Sequence, residues 1–62
     1  MKKVFNVEKD FFKSRIDKWF KKNVFDAPQS FIEKNLRKQN ILVNNKKVKS
    51  SYKLKENDFI NI

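Results

Sequence analysis

Ile41-Leu42-Val43-Asn44-Asn45-Lys46-Lys47-Val48 reads as two short β runs joined by a turn. Ile41-Leu42-Val43 is apolar and largely β-branched, which suits a pleated, half-buried surface. Asn44-Asn45 suits a two-residue hairpin turn, because Asn tolerates positive φ better than most residues. Lys46-Lys47-Val48-Lys49 is then the expected return strand. Upstream, Ser30-Phe31-Ile32-Glu33 has the form of a capping box, with Ser at N-cap and Glu at N3. The helix it opens is expected to run to about Gln39, with Phe31, Ile32 and Leu36 as its apolar side and Asn40 as a left-handed C-cap. Asp26-Ala27-Pro28-Gln29 breaks the chain before it, since Pro restricts its predecessor and cannot donate inside a helix.

From Ser14 to about Asn23, Ile16, Trp19 and Phe20 fall at i, i+3 and i+4, which predicts an earlier helix. Ser14 or Asp10 is its expected cap, Asp17 sits in its first turn, and Phe11 and Phe12 should pack under it. Val4 to Val7 is a first strand, closed by Glu8-Lys9-Asp10. After the hairpin, Tyr52 and Leu54 supply core, Glu56-Asn57-Asp58 turns the chain, and Phe59-Ile60-Asn61-Ile62 is a last strand. The order β-α-α-β-β-β predicts an α+β fold. Two antiparallel-packed amphipathic helices would lie against a small, mainly antiparallel sheet of three to four short strands.

Sixty-two residues allow a single domain, residues 1–62, and a small core. With neither cysteine nor histidine, disulfides, cysteine-ligated metals and the usual general base near neutral pH are excluded. No metal and no cofactor are expected. Met1-Lys2-Lys3 opens like the basic start of a signal peptide, but the chain reaches Glu8 before any apolar run develops. A cytoplasmic location is expected. The chain stops on a strand, which reads as the N-terminal piece of something longer.

Sixteen Lys and Arg against seven Asp and Glu give a formal net charge of +9. Such an excess points to a polyanionic partner, although Lys and Asn enrichment also follows from AT-rich coding, so position has to decide. Arg15, Lys18 and Lys22 stand at i, i+3 and i+7 on the first helix. Lys34, Arg37 and Lys38 share a face of the second, and Lys46 and Lys47 flank the turn. Residues 13–49 hold eleven basic and three acidic side chains, a net +8 and nearly the whole surplus. Such faces can grip phosphates, with Ser30 and the free N–H groups of its helix adding another anion site. Trp19 and Phe20 read as core, Phe31 stands between core and stacking, and no aromatic platform is evident. That combination favours reading the shape and backbone of a structured RNA.

Arg15-Ile16-Asp17-Lys18-Trp19-Phe20, Ser30 through Arg37-Lys38, Ile41 through Val48, and Glu56-Asn57-Asp58-Phe59-Ile60 occur in one order. This pattern resembles the RNA-binding domain named after ribosomal small-subunit protein S-four, over roughly residues 14 to 62. That family runs R-L-D-x-x-L, a Ser-led helix, V-x-V-N-G-x-x-V and G-D-x-I. The proline before Ser30, the Arg37-Lys38 pair and the added first strand look most like the N-terminal domain of large-subunit ribosomal RNA pseudouridine synthases. The resemblance implies the alpha-L RNA-binding motif, binding structured RNA with both helices and the hairpin turn; the expected partner is ribosomal RNA, and a monomer is expected. By position its contacts would be Arg15, Lys18, Ser30, Lys34, Arg37, Lys38, Asn44, Lys46 and Lys47, and the basic stripe adds Lys22. Asn40, Asn45 and Asn57 replace family glycines at turns, Phe31 replaces a common Arg, and Ser50 a frequent Pro.

Arg15-Ile16-Asp17 also resembles the synthases' catalytic Arg-Leu-Asp, but there a Thr-Ser-Gly-type stretch follows, whereas Lys18-Trp19-Phe20 follows here. Asp17 is therefore expected to pair helices, and no catalytic residue is assigned. Glu8/Asp10 and Glu56/Asp58 read as turn residues. The expected function is docking a pseudouridine synthase domain onto RNA. The alternatives are a stand-alone ribosome-associated protein of the same family, or a basic module for membrane surfaces or acidic proteins. The membrane alternative requires bulky apolar residues exposed on the basic helices.

Overall fold

Ile16, Trp19 and Phe20 are all at most 2% exposed, so one side of the first helix is a continuous apolar face. In the computed structural model, which describes residues 3–62, Val4–Asn6 forms β1 and Lys9–Phe11 a single 3-10 turn. Helix α1 is Ile16–Asn23, α2 is Gln29–Arg37, β2 is Leu42–Val43 and β3 is Phe59–Asn61. Met1 and Lys2, the start of the basic opening, lie outside the described residues. The sheet is antiparallel with order β1-β3-β2. The last strand is thus its centre: Ile60 stands opposite both Phe5 and Val43. Ile32 and Leu36 of α2, with Val7, Ala27, Ile41, Val43, Leu54 and Ile60, complete the core. Phe5 meets Trp19 edge to face at 5.5 Å, joining β1 to α1.

Both helices begin without the side-chain caps expected for them. At α1 neither Ser14 nor Asp10 caps, because the segment 52–54 lies alongside. The Ile16 N–H donates to the Tyr52 carbonyl and the Leu54 N–H to the Ser14 carbonyl, both at 2.9 Å. At α2 the capping box does not form. Pro28 is extended, and its carbonyl takes the N–H groups of Phe31 and Ile32 at 3.1 and 3.2 Å. The helix therefore starts at Gln29, Ser30 lies inside its first turn, and the Glu33 carboxylate accepts from Gln29 Nε2 instead. At the other end the left-handed residue is Gln39 (φ 63°), one position before Asn40. The Asn40 N–H reaches back to Asn35 O and the Gln39 N–H to Leu36 O, a Schellman closure.

The Asn44-Asn45 turn forms as expected, with both residues left-handed (φ 52° and 64°) and reciprocal Val43–Lys46 backbone bonds of 3.0 and 2.9 Å. Asn57 is left-handed as well. The return strand Lys46–Lys49 does not form, and its pairing stops at the single Val43–Lys46 bridge. Lys46, Lys47 and Lys49 are exposed and only Val48 is half-buried, so this run has little to bury and nothing to hold a register. Phe31 also departs from its expected apolar side. It lies about 100° round the helix from Ile32 and is 41% exposed.

Asp58, expected as a turn residue, is the buried polar hub of the C-terminal half at 6% exposure. Its carboxylate accepts from Asn44 Nδ2 and Tyr52 Oη at 2.8 Å and from the Lys55 N–H at 2.9 Å. Asn44 Oδ1 in turn accepts the Phe59 N–H. Burial pushes the Asp58 carboxyl up, but the bonds from Asn44, Tyr52 and Lys55 and the Lys55 charge outweigh it and leave it below its ordinary 3.8. Burial, with Asp58 beside it, raises the Tyr52 phenol to about 12.

Both shifts are linked to stability. Asp58 stabilises the fold above its unfolded value, and that contribution is lost as pH falls through the lower folded one. The protonated Tyr52 stabilises it below pH 10, and this is lost as pH rises toward 12. Asp58→Ala strands three donors and should cost about 3 kcal/mol in urea unfolding. Because the chain has one Tyr, absorbance titration of the phenol reads this site alone. In Asp58→Asn its midpoint should fall partway back toward 10.

Candidate nucleic-acid interface

The expected helix-pairing role of Asp17 is visible in its contacts. Its carboxylate, at the start of α1, accepts from Gln29 Nε2 on α2 at 2.9 Å and from the Lys18 N–H at 2.7 Å. Arg15 Nη2 lies 3.0 Å from the same Asp17 oxygen that Gln29 contacts. Gln29 Nε2 also donates to Glu33 at 3.0 Å, one turn along α2. Glu33 then lines a shallow groove of about 300 Å³ with Leu36, Arg37, Lys47, Val48 and Lys49. Arg15, Asp17, Gln29 and Glu33 thus form a polar chain that leads from the α1 N-terminus to a groove walled by Arg37, Lys47 and Lys49. One wall is helical and the other is the segment after the Asn44-Asn45 turn.

The remaining candidates fall into separate stripes. Gln29, Glu33 and Arg37, four residues apart, occupy the flank of α2 that faces this chain and groove. Ser30, Lys34 and Lys38, also four apart, lie on the exposed outer side. Lys34, Arg37 and Lys38 are therefore neighbours split between two stripes. Lys18 and Lys22 are exposed on the outer side of α1, away from the buried Ile16, Trp19 and Phe20, and do not line the groove. Lys46 is exposed in the turn. Asn44 is half-buried, and both ends of its amide are engaged, by Asp58 and by the Phe59 N–H. The N–H groups of Gln29 and Ser30 have no partner among the described residues, which leaves the positive end of α2 open beside the outer stripe.

Two participants carried no signal strong enough to name them. Lys49 counted only toward the local charge, and the failure of the return strand is what turns it into the groove. Gln29 read as part of a break, and only its place on the first turn of α2 brings its amide between two carboxylates. The Arg15–Asp17 pair is half exposed on the arginine side, at 52%. The Asp17 side is buried, so the guanidinium stays anchored there while its remaining solvent-facing donors can take a further anion such as phosphate.

Comparison with known proteins follows the same stretch of chain. Residues 14–60 match the family model described as S4 domain. Two similar proteins are the ribosomal large subunit pseudouridine synthases C of Vibrio parahaemolyticus serotype O3:K6 (strain RIMD 2210633) and Vibrio vulnificus (strain CMCP6). The first is 35% identical over 57 residues, covering 92% of this chain and 18% of that protein. The second is 34% identical over 59 residues, covering 95% and 19%. The chain therefore spans less than a fifth of the curated relatives it matches. No solved structure matches.

If Asp17 joins the helices as its contacts indicate, Asp17→Ala should cost about 2 kcal/mol, because it strands Gln29 and the Lys18 N–H. Gln29→Ala should cost about half as much. A double-mutant cycle of the two should show clear coupling, and strict additivity would deny the link.

Proposed function

The chain belongs to the S4 domain family, and on that footing we propose that it binds structured ribosomal RNA and positions a pseudouridine synthase catalytic domain that lies outside these 62 residues. The observation that carries this reading is the convergence of Arg15, Arg37, Lys47 and Lys49 on one chain and groove between α2 and the post-turn segment. Such a groove accepts a ridge of phosphates rather than a flat base. Arg15 and Arg37 would fork onto phosphate oxygens, and Lys47 and Lys49 would act as mobile point charges. Lys34, Lys38 and Ser30, on the outer stripe, would meet a neighbouring stretch of backbone, with the open α2 N-terminus adding partial positive charge. Lys18, Lys22 and Lys46 would attract the RNA at longer range. Asn44 would serve chiefly by holding the turn.

The link to pseudouridine synthesis rests on the names of the two relatives and on the small share of their length that this chain spans. In this reading the domain is a cytoplasmic monomer and the chemistry belongs to its neighbour in the chain. Membrane-surface binding cannot run through Trp19, whose side chain is 1% exposed, and would have only Phe31 on a basic helix to insert, with Phe25 beside it. No described helix is long and apolar enough to cross a membrane.

Binding to a hairpin RNA should weaken with salt along a log–log slope of about −4, as expected if about five phosphates are neutralised. Arg37→Glu with Lys38→Glu should leave the circular dichroism spectrum unchanged and weaken binding by about a hundredfold. A flat salt dependence, or full affinity in the charge-reversed variant, would contradict the proposal.

A further inference from the structure

Phe25 and Phe31 are 50% and 41% exposed, although Phe20 beneath them is buried. Their centroids lie 5.3 Å apart with the rings inclined at 69°, so neither ring stacks on the face of the other. Phe20 supports both, at 5.6 Å from Phe25 and 6.3 Å from Phe31. Together with Val24, Asn35, Asn40, Ile41 and Ile62 they line a cleft of about 120 Å³. A single-residue accident of exposure would leave one ring on the surface. Here two rings are held in a fixed mutual geometry over a buried third.

The surroundings of this cleft select among occupants. Its edge carries amides: Asn35 Nδ2 donates to the Phe31 carbonyl and Asn40 Nδ2 to Asn35 Oδ1. Asn40 Oδ1 receives no hydrogen bond among the described residues and is open as an acceptor. Lys34 on α2 and Lys38 at its C-cap follow Phe31 by three and seven residues, both exposed on the neighbouring outer stripe. Among the described residues no Asp or Glu side chain lines the cleft, and the nearest in sequence is the exposed Asp26 beside Phe25. An exposed aromatic wall, amides at its edge and cations beside it match a nucleobase with its phosphates more closely than an apolar protein segment.

We propose that the Phe25–Phe31 cleft holds one unpaired nucleobase of the bound RNA, with the adjoining phosphates on Lys34 and Lys38. This rests on the RNA-binding reading and sharpens it. The target is a structured RNA with a splayed-out nucleotide next to its helix, and the outer stripe of α2 reads the single-stranded part while the groove holds the stem.

The test uses this 62-residue chain and two hairpin RNAs with the same stem. One is blunt, and the other has a short single-stranded extension carrying 2-aminopurine. The chain should bind the extended hairpin about tenfold more tightly, as one base stacked on an aromatic ring predicts, and should quench the 2-aminopurine. Phe31→Ala should erase both the preference and the quenching while blunt-hairpin affinity holds, and Phe31→Trp should restore both, with circular dichroism checking each fold. Equal affinity of the unaltered chain for the two hairpins overturns the inference and leaves the RNA-binding reading intact. A Phe31→Ala loss shared equally by both RNAs overturns it too, as does a dimer that this variant abolishes with the hairpin preference unchanged. No binding to either hairpin removes both readings together.

Discussion

The buried carboxylate of Asp58 holds the C-terminal half of this domain in one arrangement. It takes hydrogen bonds from the hairpin turn (Asn44), the connecting segment (Tyr52) and its own turn (Lys55 N–H). Meanwhile its backbone carbonyl accepts the Val7 N–H and so ties in the N-terminal segment. A carboxylate removed from water is tolerated only when its lone pairs are satisfied this fully. With one residue at 6% exposure fixing four parts of the chain, a three-stranded sheet of three, two and three residues can position a hairpin turn that its ladder alone would leave loose. The turn in turn delivers Lys47 and Lys49 to the groove.

Asp17 does the corresponding work between the helices, with the difference that it is shared with a half-exposed arginine. The acidic residues in and beside the basic groove, Asp17 and Glu33, are thus parts of its framework and not defects in its charge. They orient Arg15 and Gln29 in the free protein, and the half-exposed Arg15 keeps donors free for a polyanion beyond its Asp17 contact. The formal +9 of the chain matters less than this placement. Scattered lysines supply attraction over a Debye length, whereas the groove and outer stripe supply geometry.

Features governed by local chemistry were legible in the sequence. The apolar spacing of Ile16, Trp19 and Phe20 fixed the face of α1, and Asn44-Asn45 and Asn57 marked turns because few other residues accept positive φ. Features decided by distant partners were not. Ser14 and Ser30 looked like caps, but the 52–54 segment and the Pro28 carbonyl reached those N–H groups first. Lys13 and Gln39 are left-handed without the usual residue type, since the Lys13 N–H bond to Leu54 and the Schellman closure over-determine them. In the site, spacing gathered Arg37 with Lys34 and Lys38, and only the observed burial of Ile32 and Leu36 shows which flank faces the groove. Phe31 is the sharpest case. Spacing left it between core and surface, and the structure puts it outside with Phe25.

Mapping the bound RNA onto the fold residue by residue shows whether the groove beside α2 is where RNA sits. Backbone amide resonances of the nitrogen-15-labelled chain should be followed while a hairpin RNA is added. Shifts should concentrate at Arg15, along residues 33–38 and along 47–50, while Val4–Asn6 and Lys9–Phe11 stay in place. Shifts centred on β1 and the 3-10 turn, with residues 33–38 and 47–50 unmoved at saturating RNA, would contradict RNA binding in the groove.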